Sequence, residues 1–459
     1  MTVSAPHLLG NFAPVSDELT VTELQVTGAI PAELNGWYLR NGPNPREAAS
    51  SHWFLGDGMV HGVRLDGGRA TSYRNRWVRT ATFTDGARRY DEQGTLDLTA
   101  SLANTHVVRH AGRTLALVES SYPYLLDCRR GHELETVGAH DFGGRLRTPM
   151  TAHPKTCPTT GELHFFGYGG LSAPYLTYHR ADAAGELTVS RPIDVSAHSM
   201  MHDFHLTSRH VVFMDLPVLF NLEQAMSGGG GMPYTWQPDA GARLGVLRRD
   251  DPYGEVRWFE IEPCYVFHTL NAHEEGDTLV LYGMRYDSVA DGASTAAPAT
   301  LWRWTLNLAD GTVSEQQLDD RNAEFPRIDD RLAGLATRYG VAVSAPGPSS
   351  AAAGFGAGSG AKSGSAPRRN AIHRYDLFDG SVTSHLLAPG RTPGEACFVP
   401  ADETAGGPGW LMAFVHDAAT DRSDLVILDA DRLTAPPVAT IHLPRRVPFG
   451  FHGNWLPDA

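Results

Sequence analysis

Four histidine-bearing stretches decide the fold of this chain: Thr151-Ala152-His153-Pro154-Lys155, His202-Asp203-Phe204, His268-Thr269-Leu270-Asn271-Ala272 and Phe449-Gly450-Phe451-His452-Gly453. Zinc fingers space their ligands by a few residues, because one short loop wraps the metal. These histidines are spread over most of the chain, so they need an architecture that returns repeatedly to one axis. A β-propeller is the commonest closed ring of similar units that does so. The sequence therefore predicts a propeller with one metal on its axis.

Short β-rich runs recur along the chain between turn residues. Examples are residues 114–118, 163–168, 210–214 and 278–282, with turn signals such as Asp57-Gly58, Gly169-Gly170 and Asp310-Gly311. Runs of this length between Gly, Asp and Pro clusters are typical of strands, and their recurrence favours an all-β sandwich, barrel or propeller. No repeat is strict enough to identify a WD40 or kelch array. We also expect an outer strand within residues 18–26 and one short helix within residues 332–339.

One segment differs from the rest of the chain in composition. Residues 344–368 consist almost entirely of Gly, Ala, Ser and Pro, and such a segment buries too little apolar surface to offset its ordering entropy. Because strand-like sequence resumes directly after it, we predict a flexible surface insertion rather than a domain boundary. The expectation is therefore a single domain over residues 1–459.

Composition and charge exclude several classes of function. The chain has 459 residues, 42% of them hydrophobic, and a formal net charge of -14. This acidity argues against a nucleic-acid surface, which needs a basic face, and against electrostatic docking on anionic lipid. No stretch reaches the ~18 consecutive apolar residues of a membrane span, and no secretory signal is visible. We expect a cytoplasmic protein whose four scattered cysteines are reduced and mostly buried.

A site built only from imidazole suits zinc, copper, iron or nickel. Neutral imidazoles leave the full charge on the metal, so nearby carboxylates are expected to offset it and to accept the other ring N–H of each histidine. The candidates are Glu119 and Glu395, which stand next to apolar strand-like runs, and Glu324, which lies in Glu324-Phe325-Pro326-Arg327. Four ligands closing a tetrahedron would make a structural zinc site. Four ligands that leave two adjacent positions open would suit O₂ chemistry on ferrous iron, and the residues alone do not choose.

The order of several weak motifs carries a family resemblance. They are Gly10-Asn11-Phe12-Ala13-Pro14-Val15, Arg40-Asn41-Gly42-Pro43-Asn44-Pro45, His52-Trp53-Phe54-Leu55-Gly56-Asp57-Gly58, Asn104-Thr105-His106, Ala152-His153-Pro154, Met201-His202-Asp203-Phe204, His268-Thr269-Leu270-Asn271-Ala272, Glu324-Phe325-Pro326-Arg327, Gly394-Glu395 and His452-Gly453. With them the chain resembles, almost end to end, the carotenoid cleavage oxygenase family. That family includes apocarotenoid oxygenases and bacterial lignostilbene dioxygenases.

The resemblance implies a seven-bladed propeller whose loops cap one face and form a substrate tunnel. It implies one Fe(II) per chain on the axis, and the matching ligands are His153, His202, His268 and His452. Three carboxylates that orient imidazoles in the family match Glu119, Glu324 and Glu395. Thr105 matches a threonine whose methyl group crowds one open iron position. The implied enzyme is a dioxygenase that inserts both atoms of O₂ across an alkene C=C bond and gives two carbonyl products.

The resemblance implies a hydrophobic small-molecule alkene and O₂ as the substrates. The stilbene-cleaving branch uses a lysine just before the carboxylate that matches Glu119, but this chain has Val118 there. An apolar residue favours a carotenoid or apocarotenoid, with a stilbene or phenylpropene as the alternative. The partly apolar residues 216–236 are expected to line a tunnel entrance, to make weak peripheral contact with a membrane, or to pack on themselves. A non-catalytic propeller that keeps a structural metal is the other alternative. Retinyl-ester isomerohydrolase activity, also known in this family, would need membrane-anchoring features that the sequence does not show.

Overall fold

The computed structural model describes residues 6–47, 50–129, 134–227, 232–290, 294–295, 297–344 and 369–458. These residues form seven antiparallel sheets of four or more strands, which follow one another as the blades of a propeller, and two small hairpins. The prediction of an all-β, seven-bladed β-propeller is confirmed. The predicted insertion at residues 344–368 lies outside the described residues, except for Ser344, which ends a strand.

Two blades contain strands from both ends of the chain. Blade 1 has, from its outer edge to the axis, the strands Thr20–Val21, Arg69–Trp77, Gly58–Asp66, Gly36–Pro43 and Gly453–Pro457. Blade 7 has, in the same direction, Gln25–Gly28, Ala439–His442, Arg422–Asp429 and Gly409–Asp417, and the last of these pairs with both Arg391–Pro393 and Cys397–Pro400. The ring therefore closes through two strand pairs, and the single outer strand predicted near the N-terminus is in fact two strands in two blades.

The remaining five blades have four strands each, and their strands run in order from the axis outward. Blade 2 has His106–His110, Arg113–Leu117, Tyr124–Asp127 and Glu135–Ala139. Blade 3 has Lys155–Thr156, Leu163–Tyr168, Leu176–Ala181 and Leu187–Ile193. Blade 4 has His205–Leu206, His210–Asp215, Ala242–Arg248 and Arg257–Ile261. Blade 5 has Tyr265–Glu275, Thr278–Tyr286, Thr300–Asn307 and Val313–Gln317. Blade 6 has Ala323–Arg327, Tyr339–Ser344, Ala371–Asp376 and Val382–Leu386.

The elements outside the blades are short. The hairpins pair Val218–Phe220 with Tyr234–Trp236 and Val289–Ala290 with Ser294–Thr295. Among the described residues, the α-helices are Ala81–Asp85 and Leu222–Ser227, and the 3-10 helices are Pro6–Leu8, Gly10–Phe12, Trp53–Leu55, Pro238–Ala240 and Asp330–Leu332. In the part of the chain that the structure describes, no helix is long and apolar enough to cross a membrane.

Apolar side chains buried between neighbouring blades hold the ring together. Between blades 3 and 4, the rings of Phe166 and Phe204 meet edge to face at 5.4 Å, and those of Tyr178 and Phe213 do so at 5.8 Å. The strands nearest the axis also contact each other from blade to blade. Residues that begin these inner strands are therefore brought together at one end of the axis.

The short helix predicted within residues 332–339 is wrong. Only Asp330–Leu332 is helical, as one 3-10 turn, and Gly334 adopts a φ of +79°. The side chain of Asn271 accounts for the difference, because its amide donates to the carbonyls of Leu332 and Leu335 at 3.1 and 2.9 Å. Those carbonyls would otherwise accept helical hydrogen bonds. The segment is thereby tied to blade 5 as an irregular turn.

Candidate metal centre and adjoining cavity

The four predicted histidines meet on the propeller axis. His153, His202 and His452 stand just before the inner strands of blades 3, 4 and 1, and His268 lies in the inner strand of blade 5. One ring nitrogen from each lies within 4.8 Å of those of all the others. The Nε2 atoms of His153 and His202 are 3.0 Å apart. The structure therefore brings together all four residues that the sequence analysis singled out as ligands.

Burial and neighbouring charges shift the pKa values of three of these histidines. All four histidines are buried or nearly so. Burial and the neighbouring imidazoles hold the pKa of both His153 and His452 well below the usual range. Burial alone would also lower the pKa of His202, but the charge of Glu119 raises it above the ordinary value. Neutral imidazole is the form that binds a metal, so the environment of His153 and His452 favours a ligand role.

Three carboxylates accept hydrogen bonds from the Nδ1 side of three of these rings. The Nδ1–oxygen distance is 2.5 Å from His202 to Glu119, 2.6 Å from His268 to Glu324 and 3.0 Å from His452 to Glu395. A proton held at Nδ1 leaves the Nε2 lone pair for the centre of the cluster. In the described part of the chain, no carboxylate accepts a hydrogen bond from His153.

The carboxylates come from the three blades that supply no histidine. Glu119 follows the second strand of blade 2, Glu324 lies in the inner strand of blade 6, and Glu395 joins two inner strands of blade 7. The blade 6 strand changes register after Glu324, where Phe325 has a φ of +55°. This bulge leaves the Phe325 ring stacked on His268, with ring centroids 5.4 Å apart. Each blade thus delivers one group of the site.

The second oxygen of each carboxylate is held by a residue that the sequence analysis did not identify. Tyr168 donates its hydroxyl to Glu119 at 2.6 Å, and Tyr286 donates to Glu324 at 3.0 Å. Arg327 donates to Glu395 at 3.1 Å. Arg327 lay within a quoted motif, but the two tyrosines only end strand-like runs, which gave no signal of a role.

A buried polar cluster joins the three inner strands of blades 3, 4 and 5 beside their ligands. Lys155 pairs with Oδ1 of Asp203 at 2.8 Å. Oδ2 of Asp203 accepts hydrogen bonds from both the backbone N–H and the hydroxyl of Thr269 at 2.8 Å. Each of these residues lies one or two positions after a ligand. We call these three residues the Asp203 clamp.

A cavity of about 700 Å³ opens beside the histidine cluster. Its lining is mostly apolar and includes Phe54, Leu102, Val118, Leu171, Phe220, Leu222, Met226, Met232, Tyr234, Phe267 and Phe451. Thr105, Glu119, His202, His268 and His452 form its inner wall. Residues 216–236, predicted to line an entrance, to contact a membrane or to pack on themselves, contribute several of the lining side chains.

Thr105 is the last of the predicted site residues, and it lies against the cluster. Its carbonyl accepts the backbone N–H of His452 at 3.1 Å, and its hydroxyl donates to Oδ1 of Asn104 at 3.0 Å. It lines the cavity and is 8% exposed. The predicted reduced, buried state of the cysteines also agrees with the structure, in which Cys128, Cys157, Cys264 and Cys397 are free and buried.

Comparisons with known proteins match this architecture over nearly the whole chain. The family model described as "RPE65: Retinal pigment epithelial membrane protein" matches residues 12–457. The carotenoid cleavage oxygenase of Mycobacterium tuberculosis is 39% identical over 98% of this chain and 97% of its own length. The solved lignostilbene dioxygenase of Pseudomonas brassicacearum has a TM-score of 0.85 at 29% identity, covering 99% of both chains. A Synechocystis apocarotenoid oxygenase variant has a TM-score of 0.83 at 28% identity, covering 97% of both chains.

Proposed function

This chain belongs to the carotenoid cleavage oxygenase family, and from that premise we propose that it is a non-haem Fe(II) dioxygenase acting on a carotenoid or apocarotenoid. The reaction cleaves one C=C bond with O₂ and gives two carbonyl products. The observation that carries the proposal is the buried four-histidine cluster at the inner wall of an apolar cavity. A metal held by these histidines would contact an alkene in the cavity away from bulk water.

His153, His202, His268 and His452 would hold the iron. The donor set fits a divalent transition metal, because imidazole is a good ligand for iron and two of the rings are kept neutral by burial. Glu119, Glu324 and Glu395 offset the charge of the ion and fix three ring orientations. When bound, the ferrous ion supplies the activation of O₂ that the side chains of the cavity cannot provide.

The side chains around the site have three tasks in this proposal. The histidine–glutamate pairs keep each Nε2 directed at one point, and Tyr168, Tyr286 and Arg327 keep the carboxylates from turning. Apolar residues of the cavity exclude water and hold the polyene. Thr105, whose hydroxyl is already engaged with Asn104, limits access to the centre from its side of the cavity.

A carotenoid or apocarotenoid suits the cavity better than a phenolic stilbene. In the described part of the lining there is no lysine, and Val118 lies at the wall next to Glu119. A phenolate placed next to Glu119 would meet the apolar Val118 instead of a lysine. The volume of about 700 Å³ falls within the usual range of roughly 300–1,000 Å³ for ligand sites. The likeness to lignostilbene dioxygenase keeps a stilbene as the second candidate.

The mouth of the cavity is also suited to a lipid surface, where such substrates dissolve. Four of its apolar side chains, Leu55, Leu171, Leu222 and Met226, are 40%, 57%, 58% and 78% exposed. Exposed apolar side chains around a cavity mouth are typical of contact with a partner or membrane. Weak peripheral contact through this rim therefore forms part of the proposal.

The test uses protein purified without oxygen, with its iron quantified, and supplied with O₂ and either an apocarotenal or 4-hydroxystilbene. Aldehyde products are identified by mass spectrometry with ¹⁸O₂ as the oxygen source. Cleavage of the apocarotenal with label in both products is expected. Cleavage of the stilbene alone would favour the second candidate. Zinc in place of iron, without O₂ consumption, would favour a structural metal and contradict the proposal.

A further inference from the structure

The cavity has one polar corner that the proposed cleavage reaction does not use. Its described lining includes the guanidinium of Arg89, which is half-buried, whereas the consecutive Arg88 is exposed to solvent. The lining carboxylate Glu119 is already engaged by His202 and Tyr168. Positive charge in this cavity contrasts with the net charge of -14 of the chain. A ligand with an anionic end would therefore be favoured at this corner.

Arg89 makes hydrogen bonds to the protein, but part of the donor capacity of its guanidinium has no acceptor among the described residues. Its backbone carbonyl accepts the N–H of Asp97 at 2.8 Å, and its Nη2 donates to the carbonyl of Gly169 at 3.2 Å. Its Nε is buried and meets no acceptor among the described residues, and no carboxylate in that part of the chain forms an ion pair with it. Buried donors are usually paired in proteins, so this guanidinium keeps donor capacity that no described protein group uses.

His198 presents a second donor beside Arg89. Its ring stacks on Tyr175 and Phe220, with centroid distances of 5.5 and 4.6 Å. Its Nε2 is buried and has no hydrogen-bond partner within the described ranges. Burial, helped by the charge of Arg89, lowers the pKa of His198 to about 4. The ring is therefore neutral at pH 7 and has one N–H to donate, and its tautomer can adapt to the ligand.

Gly169 leaves open the space that these two groups share. A Cβ at this position would lie 3.3 Å from Nη2 of Arg89 and 4.0 Å from Nε2 of His198. Both nitrogens therefore face the same small volume above the glycine. Gly169 itself adopts a φ of +89°, which disfavours any other residue. A side chain here would crowd Arg89, and its absence leaves a recess in the cavity wall between the two groups.

The recess stands at a fixed position relative to the metal centre. Gly169 directly follows Tyr168, whose hydroxyl is hydrogen-bonded to Glu119, and Glu119 holds the ring of His202. These contacts lie at or next to strand ends of blades 2, 3 and 4. A substrate anchored at the recess would therefore place the same double bond at the centre in each turnover.

We propose that Arg89 and His198 bind the oxidised end of the polyene, and that a carboxylate is bound in preference to an aldehyde or an alcohol. This inference rests on the proposed function for the identity of the polyene. The carboxylate accepts from the guanidinium of Arg89 and from the imidazole of His198. Arg89 and His198 thus determine specificity and select the bond that is cleaved, whereas the iron ligands and the carboxylates do not.

The test compares three polyenes of equal length that end in a carboxylate, an aldehyde or an alcohol. Equilibrium dissociation constants are measured without O₂ on the iron-loaded protein by quenching of tryptophan fluorescence, and cleavage is then measured with O₂. Arg89→Met removes the charge with little loss of volume, and His198→Phe keeps the aromatic stack. Arg88→Met serves as the charge-matched comparison, because Arg88 is exposed and its charge is screened by solvent.

The wild-type protein is expected to bind the carboxylate at least tenfold more tightly than the alcohol, since a hydrogen bond to a charged group contributes roughly a tenfold to hundredfold change in affinity. Arg89→Met should remove most of that preference, raise the KM for the acid with a smaller change in kcat, and give products from more than one double bond. His198→Phe should weaken binding of the acid and the aldehyde, and Arg88→Met should have much the smallest effect.

Two kinds of failure can be told apart by this design. Equal affinity for the three polyenes, or an effect of Arg89→Met that is the same for the alcohol and the acid, would overturn the role of the polar corner even if cleavage occurs. Binding of the acid that depends on Arg89, without cleavage of any polyene, would uphold the polar corner and contradict the proposed dioxygenase reaction.

Discussion

Replacing Asp203 by asparagine tests whether the metal site depends on the clamp that joins its ligand strands. The change keeps the size of the side chain and replaces none of the four histidines. Oδ1 of Asp203 accepts from Lys155 and from the backbone N–H of Phe204, both at 2.8 Å, and Oδ2 accepts two further hydrogen bonds from Thr269. The single side-chain oxygen of an asparagine can accept the hydrogen bonds of either Oδ1 or Oδ2, but not of both. At the other position its NH₂ group would face hydrogen-bond donors, so those hydrogen bonds would be lost.

The magnitude follows from burial. Breaking a buried ion pair by removing one partner costs about 3–5 kcal/mol. The side chain of Asp203 is 2% exposed, whereas that of Lys155 is 23% exposed and can regain water. We therefore expect Asp203→Asn to lower the free energy of unfolding by about 3 kcal/mol, at the lower end of that range. Lys155→Met should cost less, because three neutral donors would still bind the carboxylate.

Metal affinity should fall as well, because the clamp fixes the strand positions that follow three ligands. Loss of an outer partner of a metal site typically weakens metal binding by about 10–100-fold, and we expect about tenfold for this variant, since the clamp acts through the backbone. The assay is urea unfolding of the apo and cobalt-loaded protein, followed by titration of the visible cobalt absorption against a competing chelator.

Asp215→Asn provides the matched control. Asp215 is similarly buried and pairs with Arg243 at 2.9 Å, but its other hydrogen-bond partners, Ser196 and Ser199, are neither ligands nor residues of the clamp. It should lower stability by a comparable amount and leave cobalt affinity unchanged. The reasoning would be refuted if Asp203→Asn changed neither property, or if both variants weakened cobalt binding equally.

Four further results are expected. Tyr168→Phe should lower stability by about 1 kcal/mol in urea unfolding and weaken cobalt binding, because Glu119 loses one hydrogen bond. Val118→Lys should reduce apocarotenal cleavage at least several-fold in a product assay, because it places a cation in an apolar wall. Burial alone would raise the pKa of Glu274, but hydrogen bonds from three neighbours hold it well below the usual range. Its stabilising contribution is therefore full above about pH 5 and is lost as the pH falls through the folded-state pKa, and acid unfolding of Glu274→Gln should show a shallower dependence below that pH. Removing the metal with a chelator should lower the melting temperature, because a ligand at 1,000 times its Kd stabilises by about 4 kcal/mol, and an unchanged melting temperature would contradict a tightly bound ion.

The propeller and its four-histidine cluster could be predicted from the sequence, because widely spaced ligands of one type require a chain that returns to one axis. The number of blades could not be counted from the strand runs. Blades 1 and 7 combine strands from opposite ends of the chain, such as Gln25–Gly28 with Ala439–His442. Local patterns carry no information on such pairs, so the count of seven came from the family resemblance.

The hydrogen-bonded partners beyond the carboxylates could not be predicted, for a different reason. Tyr168 ends a strand in the same way as other aromatic residues of this chain, and only the packing of blade 3 against blade 2 brings its hydroxyl to Glu119. Arg89 and His198 are similarly ordinary in sequence. Their relation depends on Gly169, whose importance is the absence of a side chain between them. A short stretch of sequence does not show which distant side chains will lie on either side of a glycine, so this relation could not be predicted.

The last ligand ties the metal site to closure of the ring. His452 directly precedes Gly453–Pro457, the strand that pairs with Gly36–Pro43 and completes blade 1. Glu395 accepts hydrogen bonds from both the His452 ring and the backbone N–H of Gly453, and Arg327 donates to Glu395 and to the carbonyl of Gly453. The fourth imidazole can therefore reach the axis only when the final strand is in place. Metal binding and ring closure stabilise the same state of the chain, because a metal that binds only the closed ring shifts the equilibrium toward it.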